Sequence, residues 1–289
     1  GEPLKAPAFD YVRASTISEA FSAYESYGED AVYLAGGHSV LPALNLRLQA
    51  PSAVIDISHI DELSGIGLVN GWLRIGAMTR HVQVLNDPLI AQYAPLLAAA
   101  APHVAHPAIR NRGTIGGSVS LADPASEFPA MMLALRAELE IAGPDGTRRV
   151  AADDFFRDLY ETTIQPGEIL RAVFVPPRAD GTVSVFDELA RRRGDYALVG
   201  AGIQAVLNNG IVNRIDVAFF SVSHMPLRAR SVEATLTGKP LNPDTIAAAQ
   251  TALLADLDPS DDPQMPAKTR VHLAQVLLGR LLEKLGAET

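Results

Sequence analysis

The chain contains 289 residues, with 24 Lys and Arg against 33 Asp and Glu, and its formal net charge is −9. That length suits one large or two ordinary domains, and the acidic balance argues against nucleic acid as a partner. No uninterrupted apolar stretch reaches the roughly 18 residues that suggest a membrane span, and the N-terminus lacks the layout of a signal peptide, so we expect a cytoplasmic protein.

Cysteine is absent from the chain. Disulfides, thiolate nucleophiles and sulfur ligands for zinc or iron–sulfur clusters are therefore excluded on this chain. Any one-electron metal chemistry associated with the protein is expected on another chain.

The first half of the chain is predicted to mix helices with short apolar strands. Thr16 and Glu19 form a capping box that predicts a helix to about Tyr27. Strands are predicted at residues 31–35, 53–57, 72–77 and 168–175, a short helix at 41–48, an alanine-rich helical region at 79–101, a helix through residues 131 and 132 to about 135, and a hairpin of residues 138–141 and 148–151. Pro102 and Pro107 are expected to break the alanine-rich region.

The second half is predicted to be a smaller antiparallel sheet followed by helices. Two prolines and a glycine between residues 176 and 181 predict a linker, which gives domains 1–177 and 182–289. The predicted strands are 182–192, 197–207 and 211–222, with a tight turn at 208–210, and the helical tail from Leu227 carries an apolar stripe of Val271, Leu273, Val276, Leu277 and Leu281. The predicted fold class is α+β.

Two glycine pairs, each flanked by hydroxyl side chains, are the main functional signal. They stand in Ala35-Gly36-Gly37-His38-Ser39-Val40 and in Thr114-Ile115-Gly116-Gly117-Ser118. Glycines let a ligand approach the main chain, successive amides in such loops bind anions, and neighbouring hydroxyls complement a diphosphate. Neither a Walker loop nor a GxGxxG fingerprint is present. The two segments therefore predict a phosphate-binding site of another kind, in which both segments contact one long phosphate-bearing ligand.

Several titratable side chains near these segments have alternative roles. His38 could act as a general base, a covalent attachment point for a flavin or a hydrogen-bonding loop residue. His103 and His106 lack a third ligand at useful spacing, so structural roles are expected for them and no metal site is predicted. Asp123 and Glu127, one helical turn apart, could bind ribose or ribityl hydroxyls, although Asp123 could also cap a helix.

Tyr196 stands in a turn, Gly194-Asp195-Tyr196-Ala197, that enters a predicted strand of the second domain. Its ring could cover one face of an aromatic cofactor, or it could pack between the domains. The residue alone leaves both roles open.

Taken in order, these motifs resemble those of the flavin-binding medium subunits of molybdenum hydroxylases, the xanthine dehydrogenase and carbon monoxide dehydrogenase family. The matching segments are AGGHSVLP at 35–42, HP at 106–107, IRNRGTIGGS at 109–118, ADPASE at 122–127, PGEIL at 166–170 and RGDYA at 193–197. The RNRGTIGG string is highly specific, and the resemblance extends from about Phe9 to the C-terminus.

The resemblance implies a FAD-binding domain of the p-cresol methylhydroxylase type, with two α+β subdomains split near residue 60. A small domain with a three-stranded antiparallel sheet and helices would follow. The implied cofactor-binding residues are Ala35, Gly36, Gly37, His38, Ser39, Val40, Val104, Thr114, Ile115, Gly116, Gly117, Ser118, Asp123, Glu127, Ile169 and Tyr196.

In the implied site the two glycine segments hold the pyrophosphate of non-covalent FAD. Asp123 or Glu127 would meet FAD hydroxyls. Ile169 would pack on the adenine-side or ring surface, and Tyr196 would lie by the isoalloxazine. No residue of this chain is implied as catalytic.

Two departures from the family pattern stand out. Leu121 occupies the position where members often carry His before Ala-Asp-Pro, which weakens the case for a polar side chain at that edge of the flavin. Residues 221–226, SVSHMP, replace a usual glycine-rich stretch and leave the local packing of the second domain open.

By resemblance the chain is an oxidoreductase subunit of a heteromeric molybdenum hydroxylase. Electrons would pass from 2Fe-2S clusters on a small partner through FAD to an external acceptor, while a molybdenum cofactor on a large partner oxidises the substrate. A dimer of heterotrimers is expected. Two alternatives are a stand-alone flavin oxidase with FAD attached covalently at His38, and a flavin-free scaffold subunit.

Overall fold

In the residues that the structure describes, the first subdomain has a three-stranded parallel sheet and one helix. The computed structural model describes residues 9–35, 51–105, 112–192 and 194–288. The elements of the first subdomain are β1 (Asp10–Arg13), α1 (Ile17–Tyr27), β2 (Ala31–Leu34) and β3 (Ala53–Asp56), in the strand order β1-β3-β2. Thr16 Oγ1 accepts the Glu19 N–H as predicted, but the Glu19 carboxylate accepts the N–H of Ser15. Strand β1 was not predicted from the sequence, and the helix predicted at 41–48 lies outside the described residues.

The second subdomain contains a five-stranded antiparallel sheet of order β4-β5-β10-β6-β7. Its strands are β4 (Ile66–Val69), β5 (Trp72–Gly76), β6 (Glu138–Gly143), β7 (Gly146–Ala151) and β10 (Ile169–Val175). The predicted hairpin of β6 and β7 is confirmed. The sequence analysis missed β4, which pairs with β5 across a tight turn where Asn70 and Gly71 have φ of 51° and 83°.

Three helices stand where one alanine-rich helical region was predicted. They are α2 (His81–Asn86), α3 (Pro88–Tyr93) and α4 (Pro95–Val104). Pro88 and Pro95 each occupy a first helical position, where a missing N–H is tolerated. The prediction that Pro102 breaks this region is wrong, because α4 includes Pro102 and continues to Val104.

The second glycine pair lies in a helix rather than in a loop, which corrects the sequence prediction. The remaining elements of this half are α5 (Ile115–Leu121), α6 (Glu127–Ala134), α7 (Ala152–Phe155), β8 (Phe156–Asp158) and β9 (Glu161–Thr162). Gly116 and Gly117 stand in the first turn of α5. Helix α6 is buried on every side from Phe128 to Ala134 and forms the centre of the core.

The C-terminal half is a four-stranded antiparallel sheet with three helices. Its elements are β11 (Val183–Ala190), β12 (Ala197–Asn208), β13 (Ile211–Phe220), β14 (Leu227–Arg228), α8 (Arg230–Leu236), α9 (Pro243–Ala252) and α10 (Ala267–Ala287). The three long strands and the turn at Asn209 and Gly210 were predicted, and the predicted α+β class is confirmed. Strand β14 is a fourth strand that the sequence analysis missed.

The long helix α10 buries a slightly different stripe from the predicted one. Its buried residues are Ala274, Leu277, Leu278, Gly279, Leu281, Leu282 and Leu285, whereas Val271 and Val276 are only half-buried. Across the described part of the chain, no helix is both long and apolar enough to cross a membrane.

The C-terminal sheet is covered on both faces, which joins the two halves of the chain. One face packs on α8 and α10, and the other packs on α4 and α6. On the second face, a Cβ atom at Gly202 would overlap the Met131 sulfur and lie 3.1 Å from Leu96 Cδ1. Glycine is needed there because α4 and α6 come close to the backbone of β12.

Ion pairs beside this interface also connect the halves. Arg136, just after α6, lies 3.3 Å from Asp216 of β13. Arg228 of β14 lies 2.8 Å from both Asp153 and Glu233. These contacts place opposite charges from both halves in one partly buried cluster and favour one docking geometry.

Candidate functional site

The second glycine segment is fixed by hydrogen bonds of its own backbone. Thr114 caps α5, since its Oγ1 accepts the Gly117 N–H at 3.0 Å. The Gly116 N–H donates to the Ala77 carbonyl at 2.8 Å. Because these amides are engaged within the protein and Thr114 is only 2% exposed, the half-buried Ser118 hydroxyl is the polar group of this segment that a ligand can reach most readily.

Two residues that the sequence analysis missed hold this segment in place. His81 is buried, with its Nε2 3.0 Å from the Thr114 carbonyl and its ring edge-on to Phe128 at 5.2 Å. The Thr79 carbonyl accepts the Ile115 N–H at 2.9 Å. The buried Thr79 hydroxyl has no hydrogen-bond partner within the described ranges. Neither residue belongs to a recognisable motif, so no sequence signal pointed to them.

The start of β10 anchors the elements that carry both glycine segments. Tyr33, near the end of β2, donates its hydroxyl to the Gly167 carbonyl at 2.9 Å. Ala77, the residue against which α5 packs, donates its N–H to the Arg171 carbonyl at 3.0 Å. Ile169 lies between these contacts in sequence and is buried. The strand leading into the first glycine segment and the helix containing the second are thus tied to one short stretch of β10.

A row of polar side chains connects α5 to the segment before α6. Ser118 Oγ lies 3.2 Å from Ser126 Oγ. Asp123 Oδ1 accepts the Ala125 N–H at 2.9 Å and so closes a turn of its own. Asp123 does not cap α6, because that helix begins at Glu127 with Ser126 as its N-cap.

Tyr160 lies near Asp123, and Tyr196 lies near Tyr160. Burial, followed by the Asp123 charge, raises the pKa of Tyr160, which lies at the tip of the β8–β9 hairpin. Tyr196 is close enough to Tyr160 for their hydroxyls to interact electrostatically, yet its side chain is 77% exposed. That exposure does not fit packing between the domains, whereas an open ring beside a polar group suits a planar ligand.

Three titratable side chains meet where the two halves pack together. Glu127, the first residue of α6, lies close enough to Glu188 of β11 for the Glu188 charge to act on its pKa. Burial, followed by the Glu188 charge, raises the pKa of Glu127 to about 8. Glu188 is 8% exposed, and its Oε1 lies 2.9 Å from His103 Nδ1. The sequence analysis missed Glu188, since nothing in its strand distinguishes it from an ordinary surface glutamate.

Of the other predicted site residues, some lie outside the described residues and one lies at the end of α4. Gly36 to Val40 and His106 fall outside the described residues. Val104, the last residue of α4, is half-buried against the core of the first half. No group of three His, Cys, Asp or Glu side chains that could hold a metal occurs within the part of the chain that the structure describes.

Family models match both halves of the chain. Residues 7–178 match the FAD binding domain in molybdopterin dehydrogenase. Residues 184–285 match the CO dehydrogenase flavoprotein C-terminal domain.

Full-length relatives and a solved structure are also similar to the chain. The carbon monoxide dehydrogenase medium chain of Hydrogenophaga pseudoflava is 35% identical over 276 residues, which cover 96% of each chain. The nicotine 6-hydroxylase medium subunit of Paenarthrobacter nicotinovorans is 35% identical over 286 residues, covering 99% of this chain and 100% of the relative. A structure of H. pseudoflava carbon monoxide dehydrogenase lacking the Mo-pyranopterin moiety of its cofactor superposes with a TM-score of 0.93 at 36% identity, covering 99% of both chains.

Proposed function

Because the chain belongs to the FAD-binding medium subunits of the molybdenum hydroxylase family, we propose that it holds FAD non-covalently and passes electrons through it to an external acceptor. Iron–sulfur clusters on a small partner supply the electrons, and a molybdenum cofactor on a large partner oxidises the substrate, in a dimer of heterotrimers. The medium-chain and subunit names of the relatives support this division of labour. The lack of cysteine in this chain agrees with it.

The observation that supports FAD binding is the anchoring of the end of β2 and of α5, which contains the second glycine pair, to residues 167–171. The Tyr33–Gly167 contact positions the end of β2, from which the first segment continues, and Ala77 positions α5. A diphosphate needs donors on more than one side, and the segment that follows β2 and the start of α5 are the two proposed sources of them. We therefore assign the pyrophosphate to residues 35–40 and 114–118.

The described side chains have the chemistry that the rest of FAD requires. The Ser118 hydroxyl suits the phosphate end, Thr114 fixes the first turn of α5 that carries it, and Asp123 suits ribityl hydroxyls. The exposed ring of Tyr196 suits one face of an isoalloxazine, whereas Ile169 is 3% exposed and presents no open surface to a ring. Once bound, FAD supplies the redox chemistry, while the residues of this chain bind and orient it.

Release of the flavin on denaturation tests the non-covalent assignment. The purified complex should show flavin absorbance, and unfolding should free all of it from the polypeptide. Flavin fluorescence retained on the denatured chain would overturn non-covalent binding and support attachment at His38. Absence of flavin bands from the native complex would overturn FAD binding itself.

Replacement of Tyr196 tests the ring assignment. Tyr196→Ala should alter the flavin absorbance spectrum and weaken FAD binding without lowering the melting temperature of the flavin-free protein, because the side chain is 77% exposed. Leu254→Ala, at a site 51% exposed in the C-terminal half, is the matched control and should change neither property. An unaltered spectrum in Tyr196→Ala would contradict the assignment.

Substrate selectivity is assigned to the large partner. Relatives with the same 35% identity to this chain are named for carbon monoxide and for nicotine. Mass analysis of subunits that copurify with the chain tests the partner assignment, and a chain isolated alone from its native host under mild conditions would contradict it.

A further inference from the structure

We propose that Arg270 and Arg191 are positioning residues that hold the two sides of the proposed flavin site, and this inference rests on the FAD binding proposed above. Arg270 lies in the first turn of α10, and Arg191 directly follows β11. Binding of FAD by the glycine segments assigns no role to either side chain. Both act through the backbone of other residues rather than by touching the cofactor.

The exposed ring of Tyr196 depends on its backbone for its position. Its side chain is 77% exposed, so packing against the rest of the protein restrains it little. Tyr196 stands in the connection between β11, which ends at Ala190, and β12, which begins at Ala197. Connections between strands are among the more mobile parts of a fold. Contacts that fix the backbone on both sides of Tyr196 therefore determine where its ring stands.

Arg191 and Arg270 fix this connection at its two ends. Arg191 Nη2 donates to the Gln264 carbonyl at 2.9 Å, which ties the residue after β11 to the segment before α10. Arg270 Nη1 donates to the Leu198 carbonyl, two residues beyond Tyr196. The partners are 73 and 72 residues apart in sequence, so both hydrogen bonds are tertiary contacts. The beginning of α10 and the segment before it thus hold the connection from both sides.

The same guanidinium also holds the other side of the proposed site. Arg270 Nη1 donates to the Ser221 carbonyl at 2.8 Å. The Ser221 N–H in turn donates to the carbonyl of Pro124, the residue after Asp123, at 2.7 Å. Arg270 is therefore connected both to the backbone beside Asp123 and to the backbone beside Tyr196.

Ser221 has a backbone conformation that needs such support. Its φ is 64°, in the left-handed region, which costs free energy for a residue other than glycine. Ser221 is also the first residue of the SVSHMP stretch that departs from the glycine-rich family pattern. The hydrogen bonds that it makes with Arg270 and Pro124 offset this cost.

Arginine has the donor arrangement that this role requires. A guanidinium presents five N–H donors in one plane, so a single side chain can serve several acceptors. The third acceptor of Arg270 is Asp262 Oδ2, at 2.8 Å from Nη2. The Arg270 side chain is only 14% exposed, and the Asp262 carboxylate balances its charge.

Hydrogen exchange tests the two arginines without relying on FAD. In the flavin-stripped complex, peptides containing Asp195, whose N–H donates to the Arg192 carbonyl, and Ser221 should exchange roughly tenfold faster or more in Arg270→Met than in wild type. Arg280→Met, at an exposed arginine of the same helix, should match wild type. Wild-type exchange of both peptides in Arg270→Met would overturn the inference, whether or not FAD binds.

FAD titration of the stripped complex tests the effect on the flavin site. Arg191→Met removes one exposed hydrogen bond, so the fold should persist while the FAD dissociation constant rises roughly threefold or more. The visible circular dichroism of the bound flavin should also change. Arg192→Met is the matched control, because it removes the same charge from an exposed neighbour whose side chain has no hydrogen-bond or ion-pair partner within the described residues. Equal affinity in the two variants would contradict a positioning role for Arg191.

Chemical rescue distinguishes positioning by Arg270 from a general loss of packing. Arg270→Ala should raise the FAD dissociation constant roughly tenfold or more, and a low concentration of guanidinium ion should restore part of the affinity. Wild-type affinity in both Arg270→Ala and Arg191→Met would overturn the inference while leaving FAD binding intact. A wild-type complex that contains no FAD would overturn the proposed function, and the positioning role with it.

Discussion

Gly116 lies so close to Ala77 that a Cβ atom on residue 116 would stand 2.5 Å from both the Ala77 Cβ and the Ala77 carbonyl oxygen. Neither of those atoms can rotate away, because one belongs to the backbone and the other is fixed to it. The glycine at 116 therefore sets the distance between α5 and the end of β5, in addition to any approach it allows to a ligand.

Gly116→Ala should lower the free energy of unfolding by about 1–3 kcal/mol and reduce the FAD content, because α5 must move away from Ala77. Melting temperature and the flavin-to-protein ratio measure the two effects. Gly67→Ala is the control, since a Cβ on that β4 residue would meet no atom within 4 Å. Equal flavin content and stability in the two variants would show that the close approach is unimportant.

His81→Phe should weaken FAD binding and lower the free energy of unfolding by about 1–3 kcal/mol. The phenyl ring can still pack on Phe128, but it cannot make the 3.0 Å hydrogen bond to the Thr114 carbonyl. Calorimetric melting and FAD titration of the stripped protein measure these effects. His59→Phe, at a side chain 47% exposed, should leave both unchanged, and similar losses in the two variants would count against a positioning role for His81.

Gly202→Ala should destabilise the contact between the halves, and Met131→Ala should partly rescue it. The Met131 sulfur occupies the space that a Cβ at residue 202 needs. The double variant should therefore lose less stability than the sum of the single variants, by about 0.5 kcal/mol or more in a double-mutant cycle. The same cycle with Gly67→Ala should be additive, and additivity at Gly202 would contradict the packing described for α6 and β12.

Glu127→Gln should make the protein more stable than wild type at alkaline pH. The pKa of Glu127 is about 8 in the fold and near its usual value of 4.5 in the unfolded chain, so the native state holds the extra proton between these values. Wild-type stability should thus fall as pH rises from about 4.5 to 8, by at most about 1.4 kcal/mol per pH unit for one proton. Melting curves across this range should show the gap between variant and wild type widening up to about pH 8. A gap independent of pH would contradict the raised pKa.

Helices, strands and turns that are specified by neighbouring residues were predicted from the sequence. Strands that depend on pairing with distant residues were missed. The turn at Asn209 and Gly210 and the helix ending at Tyr27 follow from residues adjacent in sequence. Strands β1 and β14 have no such signal, because they are short and owe their conformation to pairing with distant strands. Pro102 is tolerated in α4 although a single-sequence rule expects a break, since packing of the helix outweighs one lost hydrogen bond.

The same division applies to the candidate site. The sequence by itself determined the family, the two glycine segments and the absence of cysteine, since each can be identified from neighbouring residues or from composition alone. Only the tertiary structure decided that Gly116 and Gly117 lie in a helix with engaged amides, that His81 supports Thr114, and that Glu188 meets Glu127 and His103. Those contacts depend on how α5 packs on β5 and how the C-terminal sheet docks on α4 and α6. Such packing is fixed by shape and burial across distant segments, which no local pattern records.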